Sequence, residues 1–166
     1  MSESDSQLDQ SDAASQATNA TPPSDAAASA DVAFRVMRLE SVLYELADPS
    51  PTAHLIEAES PYRYLAVPIA LADAIALEHA LNKIEGRRPT THELMTQVLT
   101  RLQAEVIAAR IVSYAGGVFY AELDLMTPRG REVFDCRTSD ALALALRQGT
   151  PAPILCAEEV LTTYYA

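Results

Sequence analysis

Residues 105–136 narrow the possible folds most, because apolar and polar side chains alternate there around two glycine-containing turns. Glu105–Tyr114 and Val118–Met126 are predicted strands joined by Ala115-Gly116-Gly117, a turn that suits a tight hairpin. After Thr127-Pro128-Arg129-Gly130, a third strand runs through Cys136. The segment therefore predicts an antiparallel β-meander. In its second strand, one face carries Phe119, Ala121, Leu123 and Leu125, and the other carries Tyr120, Glu122 and Asp124.

Shorter elements are predicted on both sides of this meander. They are a long strand Val32–Ala47 with a bulge near Met37, strands His54–Ala58 and Tyr62–Val67, a helix with Pro68 in its first turn and Gly86 at its exit, a helix beginning near Thr91, a short helix Asp140–Gln148, a strand Ile154–Cys156 and a helical turn from Glu158. Strands and helices are segregated rather than strictly alternating, which is typical of the α+β class. We expect one domain in which an antiparallel sheet packs against two or three helices.

The first 31 residues contain six acidic groups and no Lys or Arg. This composition predicts a disordered acidic tail (residues 1–31) in front of a single domain (residues 32–166). The tail lacks the basic and apolar regions of a secretory signal, and no later run resembles a membrane span. We therefore expect a cytoplasmic protein without a membrane partner. The net charge of −11 disfavours tight binding of nucleic acid, although it does not exclude a local Arg cluster.

Two motifs concentrate the side chains suited to chemistry. They are Arg88-Pro89-Thr90-Thr91-His92-Glu93-Leu94 and Asp135-Cys136-Arg137-Thr138-Ser139-Asp140-Ala141-Leu142. Each lies at a predicted helix N-terminus, where free backbone N–H groups and the helix dipole favour anions. P-loop, HExxH, GxSxG and dinucleotide motifs are absent from the sequence. The two cysteines have no zinc-type spacing and are expected to be buried free thiols.

The same motifs also have a structural interpretation. Thr90-x-x-Glu93 is a capping box, and Ser139 is a natural helix N-cap with Asp140 as a first-turn charge. Arg137 and Asp135 can form a salt bridge with Arg88 or Glu93. Asp73 is expected to be a solvated surface group, because it faces away from the predicted apolar stripe of its helix.

At these residues the sequence resembles the bifunctional nuclease family, small α+β domains named after plant members that degrade RNA and DNA. Arg88-Pro89-x-Thr91-His92-Glu93-Leu94 is similar to the family's Arg-Pro-x-Thr-His-Asp-Leu, and Asp135-Cys136-Arg137-Thr138-Ser139-Asp140-Ala141 to its Asp-x-Arg-Pro-Ser-Asp-Ala. Val118-Phe119-Tyr120-Ala121 and Ala157-Glu158-Glu159-Val160-Leu161 resemble two further family segments. The departures cluster at residues 65–73, where the family's Trp and Gly are missing and Asp73 replaces Glu.

The resemblance implies a nuclease that hydrolyses phosphodiester bonds of RNA, DNA or both, assisted by a divalent metal, Mg²⁺ or Mn²⁺. The candidate catalytic residues are His92, Glu93, Asp135 and Asp140. Among them His92 is the candidate base, and Asp135 and Asp140 are the candidate metal ligands. Arg88, Arg137 and Ser139 are the candidate substrate-binding residues.

Two other interpretations remain open at this point. The same Arg-rich cleft can serve a non-catalytic regulatory or interaction domain that binds a small anion, a nucleotide or a protein partner. Alternatively, the charged groups can form a purely structural network. The antiparallel strand edges also make a homodimer a reasonable expectation.

Overall fold

The computed structural model describes residues 32–44 and 50–165. Its strands are β1 (Phe34–Leu43), β2 (Thr52–Glu57), β3 (Tyr64–Pro68), β4 (Glu105–Ala115), β5 (Val118–Thr127), β6 (Gly130–Arg137) and β7 (Ile154–Ala157). Its helices are α1 (Leu71–Leu81), α2 (Thr91–Arg101), α3 (Thr138–Leu146) and α4 (Glu158–Tyr164). The predictions for the tail, for Asp48-Pro49 and for the end of the first strand lie outside the described residues.

The seven strands form one sheet in the order β3-β2-β1-β7-β4-β5-β6. The β4–β7 pair is parallel and the other described pairs are antiparallel. This confirms the α+β class and the meander, which is β4-β5-β6. The described part of the chain has four helices rather than two or three, because the predicted turn at Glu158 continues as α4. None of the helices in the described part of the chain is both long and apolar enough to cross a membrane.

Strand register places the core on one face of the sheet. Leu39 pairs with Leu55 and Ile111 with Ala121, and all four are buried. The helices add Ala74 and Leu77 from α1, Leu142 and Ala145 from α3, and Val160 and Leu161 from α4. The bulge of β1 lies between Leu39 and Ser41, slightly later than predicted.

The first helix is shorter than predicted at both ends. Pro68 belongs to β3, where it pairs with Thr52, and α1 begins only at Leu71. At the other end Lys83 adopts a left-handed φ of 53°. The amides of Lys83 and Ile84 donate to the carbonyls of Ala80 and His79, the hydrogen bonds of a Schellman motif. The helix therefore ends at Leu81, well before Gly86.

A buried carboxylate on β2 ties β1 and the loop before β3 to α4. Glu57 is 1% exposed and accepts hydrogen bonds from Arg35 Nε at 2.8 Å and Arg63 Nη2 at 2.9 Å. Arg63 also donates to both oxygens of Glu158, at 2.7 and 2.9 Å. These hydrogen bonds satisfy a charge that would otherwise be costly to bury.

Candidate functional site

Helix α2 begins where the capping motif predicts. The backbone N–H of Thr90 donates to Glu93 Oε2 at 2.6 Å, which completes the reciprocal half of a capping box. The other carboxylate oxygen, Glu93 Oε1, accepts Arg147 Nη1 at 3.0 Å. The Thr90 backbone hydrogen bond, together with the nearby Arg147 charge, lowers the pKa of Glu93 despite its partial burial. One oxygen of Glu93 thus caps α2, and the other holds α2 against the end of α3.

The start of α3 places a second charge cluster beside the first turn of α2. His92 Nε2 lies 2.9 Å from Asp140 Oδ1. Arg137 donates to Asp140 through Nε and Nη2, each at 2.8 Å. Arg137 also reaches α1, where Nη1 lies 2.9 Å from Asp73 Oδ2. Ser139 Oγ donates to the same Asp73 oxygen at 3.1 Å. These five residues form what we call the Asp73–Asp140 network.

The ionisation of Asp140 fixes the tautomer of His92. Partial burial opposes ionisation of Asp140, but hydrogen bonds from Arg137 and His92 outweigh it and lower the Asp140 pKa. An ionised carboxylate accepts hydrogen bonds only, so His92 Nε2 must carry the proton in this contact. In the neutral ring the lone pair then lies on Nδ1. The His92 side chain is 14% exposed. The pair can therefore act as an oriented base.

Most of the hydrogen-bond donors of Arg137 are used within the Asp73–Asp140 network. Its side chain is 62% exposed, yet four of its five N–H groups point at Asp73 and Asp140. Two carboxylates surround this one guanidinium, so the three side chains together are negative. The structure therefore leaves Arg137 little capacity for the bidentate phosphate contact that the sequence analysis assigned to it.

Three expectations about this region need correction. Asp73 is 8% exposed and bonded to Arg137, so it is not a solvated surface group. Ser139 is not the N-cap of α3, because the cap is Arg137 and the helix begins at Thr138. The predicted bridges of Arg137 and Asp135 to Glu93 or Arg88 do not form among the described residues, since Arg137 pairs with two aspartates and Glu93 pairs with Arg147.

The remaining predicted site residues lie apart from this network. Asp135 pairs in register with Glu122, while its neighbour Cys136 pairs with the buried Ala121 on the core face. Because side chains alternate along a strand, Asp135 projects from the opposite face of the sheet. Arg88 is exposed in the loop that leads into α2. Within the described ranges, the side chains of Arg88 and Asp135 form no ion pair.

The donors do not fit the divalent metal that the family resemblance implies. Asp135 projects from the face of β6 that is opposite the core, and the Asp140 oxygens already accept from His92 and Arg137. Among residues 32–44 and 50–165, no three His, Cys, Asp or Glu side chains are grouped as a metal site. A hard cation would have to displace Arg137 from Asp140.

Sequence reasoning missed two members of the site, Asp73 and Arg147. Asp73 belongs to the buried stripe of α1, four residues before Leu77, so a stripe that includes Leu77 and Ala80 would have placed it inward. Arg147 is the C-cap of α3, and its side chain is only 9% exposed. Its partner Glu93 is 54 residues away in the chain, and no local pattern indicates that pairing.

The fold is that of a small α+β domain, and the two motifs lie at the starts of α2 and α3. A family model described as the bifunctional nuclease domain matches residues 54–165. The chain is also 34% identical over 115 residues to the uncharacterized protein Rv1829 of Mycobacterium tuberculosis strain H37Rv and to MT1877 of strain CDC 1551. Each alignment covers 69% of this chain and 68% of the relative. The chain therefore belongs to the bifunctional nuclease domain family.

Proposed function

We propose that this protein cleaves RNA by general base catalysis at His92. The observation that carries the proposal is the 2.9 Å contact from His92 Nε2 to the ionised Asp140, which leaves Nδ1 as the basic atom. Membership of the bifunctional nuclease domain family supports the choice of a phosphodiester substrate. Catalysis by a base alone favours RNA over DNA as the substrate, because the 2′-hydroxyl group of RNA is a nucleophile within the substrate itself.

The reaction follows from these groups. His92 Nδ1 removes the proton from a 2′-hydroxyl group, whose oxygen attacks the adjacent phosphorus. The new 2′-O–P bond forms as the P–O5′ bond breaks, and the leaving 5′-oxygen takes a proton from water. The product ends in a 2′,3′-cyclic phosphate. Asp140 orients the His92 ring and stabilises the charge that the ring gains on protonation.

The phosphate needs a positive partner outside the negative Asp73–Asp140 network. Arg87 and Arg88 lie in the exposed loop before α2, four to five residues ahead of His92. Guanidinium groups bind phosphate oxygens in a bidentate fashion. We assign the phosphate contact to this loop, with Arg88 as the principal group.

The test is cleavage of a labelled single-stranded RNA with EDTA or with Mg²⁺ present, followed by mass analysis of the product ends. We expect activity in EDTA, a 2′,3′-cyclic phosphate product, and resistance at a position carrying a 2′-deoxy sugar. His92→Ala and Asp140→Asn should each lower the rate by about 10²-fold or more. His54→Ala on strand β2 is the matched control and should retain activity.

Two results would contradict this mechanism. A strict metal requirement, or equal cleavage of DNA and RNA, would mean that the nucleophile is a metal-activated water. Activity that survives both His92→Ala and Asp140→Asn in folded protein would place the chemistry at another site. Unfolding curves of each variant separate loss of activity from loss of structure.

A second candidate function is a non-catalytic domain that binds an anion or a partner. The ion pairs of Arg137 with Asp73 and Asp140 favour this alternative. A network whose charges are paired with one another can have a purely structural role. This alternative predicts no cleavage by the wild-type protein under either condition. It also predicts that Asp140→Asn lowers stability without changing a catalytic rate.

A further inference from the structure

A cleft with a volume of about 440 Å³ lies between the end of α1, the first two turns of α2 and the end of α3. The loop that joins α1 to α2 contributes a further wall through Lys83, Gly86 and Pro89, among others. The volume falls within the range of sites that bind small molecules. None of the residues that line this cleft belongs to the Asp73–Asp140 network. The cleft is therefore a second feature of the region around α2.

The charges in the lining of the cleft cancel one another. Lys83 and Glu85 carry opposite charges in the same loop. Arg147 is paired with Glu93, whose Oε1 lies 3.0 Å from Arg147 Nη1. A cleft without net charge has no electrostatic attraction for a strongly anionic molecule. The lining therefore favours a neutral ligand.

The rest of the lining combines apolar walls with hydrogen-bonding groups. Ile84, Pro89 and Leu146 contribute apolar surface. The side chains of His79 and Gln97 also line the cleft, and they form no hydrogen bond with another residue in the described ranges. An amide such as that of Gln97 presents a donor and an acceptor side by side. A flat heterocycle with apolar faces and polar edges matches this combination.

Arg147 gives an independent indication of a ligand. Its side chain lines the cleft and is 9% exposed. Its Nε atom is buried and has no hydrogen-bond partner among the described residues. Buried donors of this kind are rare in proteins because they cost free energy. An acceptor atom of a bound molecule at this wall would remove that cost.

The cleft shares one segment of the chain with the groups of the proposed reaction. Pro89 and Glu93 line the cleft. Their immediate neighbours are Arg88, to which we assign the phosphate contact, and His92, the proposed base. The segment 88–93 thus alternates between the cleft and the proposed catalytic groups. A base and its own phosphate are separated by a single sugar, so one nucleotide can engage both.

We propose that this cleft binds the nucleobase next to the scissile phosphate, with adenine preferred, an inference that rests on the proposed RNA cleavage. A glutamine amide is complementary to N6 and N7 of adenine, and we assign that role to Gln97. The imidazole ring of His79 provides an aromatic face for stacking, as is common where proteins bind unpaired bases. The apolar walls cover the remainder of the base.

The first test measures binding without cleavage. Millimolar adenosine is titrated into the full chain and followed by two-dimensional NMR of the backbone amides. We expect saturable shifts at residues that line the cleft, and weaker binding of cytidine. Gln97→Trp should abolish the binding, because the indole ring fills the cleft. The matched control is Thr100→Trp, at an exposed position of α2 outside the lining, which should bind normally.

The second test maps the positions at which a random-sequence RNA is cut. We expect cleavage mainly beside adenosine. Gln97→Ala should reduce the preference for adenosine about tenfold, because it removes one bidentate contact. The total rate of cleavage should fall much less than in His92→Ala. A merely structural role of Gln97 would instead lower cleavage at every sequence equally.

The outcomes separate this inference from the proposed function. Adenosine binding in the cleft without RNA cleavage would refute the proposed function and leave the base site standing, with a free nucleoside or nucleotide as its ligand. RNA cleavage without base preference, together with no shifts at the cleft, would overturn the base site and leave the cleavage proposal standing. Binding that survives Gln97→Trp, or equal binding of adenosine and cytidine, would also overturn it.

Discussion

Replacing Glu57 with Gln removes the charge of the most buried carboxylate in the described part of the chain. Glu57 accepts Arg35 Nε, Arg63 Nη2 and the backbone N–H of Arg63, the last at 2.8 Å. The side chains of Arg35 and Arg63 are 32% and 22% exposed. A glutamine keeps the shape but cannot balance two guanidinium groups. We therefore expect a loss of folding stability that depends on pH.

The size of the loss follows from the pKa of Glu57. Hydrogen bonds from Arg63 outweigh the effect of burial and lower this pKa from 4.5 to about 2. A change of one pKa unit corresponds to about 1.4 kcal/mol, so the shift contributes about 3 kcal/mol. Because the two arginines are partly exposed to solvent, we expect about 2 kcal/mol in practice. This stabilisation is complete above pH 4.5 and is lost as the pH falls towards 2.

Urea unfolding followed by circular dichroism measures the effect. At pH 7 Glu57→Gln should lower the free energy of unfolding by about 2 kcal/mol relative to wild type. The difference should shrink steadily between pH 4.5 and the lowest pH at which the protein stays folded. Glu85→Gln, at an exposed loop residue, is the control and should show little change. A difference that is the same at every pH would refute the reasoning.

Two further predictions concern the helix ends and the site. Gln103→Gly should raise the free energy of unfolding by about 0.5 to 1 kcal/mol, because Gln103 caps α2 with a left-handed φ of 57°; unchanged thermal unfolding would contradict this. Asp73→Asn should lower stability by about 1 to 3 kcal/mol, because it weakens the contacts to Arg137 and Ser139. The same unfolding experiment checks it, and a neutral result would show that Asp73 does not anchor the network.

The class of fold was predictable because its evidence is local. Alternation around Gly116-Gly117 predicts the β4–β5 hairpin, and both glycines have the positive φ values that such a turn requires. The capping box at Thr90 and Glu93 predicts the start of α2 in the same way. Each of these patterns needs only a few neighbouring residues.

The site was less predictable because its pairings are distant. Asp73 and Arg137 are 64 residues apart, and Glu93 and Arg147 are 54 apart. The sequence alone predicts that a charged residue such as Asp73 is solvated, because it does not reveal the distant partner. The end of α1 was missed for a different reason: the left-handed C′ position is occupied by Lys83 rather than by a glycine.

The charge balance of the Asp73–Asp140 network limits the chemistry that this family member can perform there. Arg137 can bind a substrate phosphate in a bidentate fashion only by releasing Asp73 or Asp140, and each release leaves a partly buried carboxylate without its guanidinium partner. Orienting His92 through Asp140 requires no such loss, because the contact already exists. Arg137 then acts by keeping Asp140 ionised rather than by touching the substrate. The proposed reaction therefore separates the base, which is fixed in the network, from the phosphate contact, which must come from the exposed Arg87-Arg88 loop.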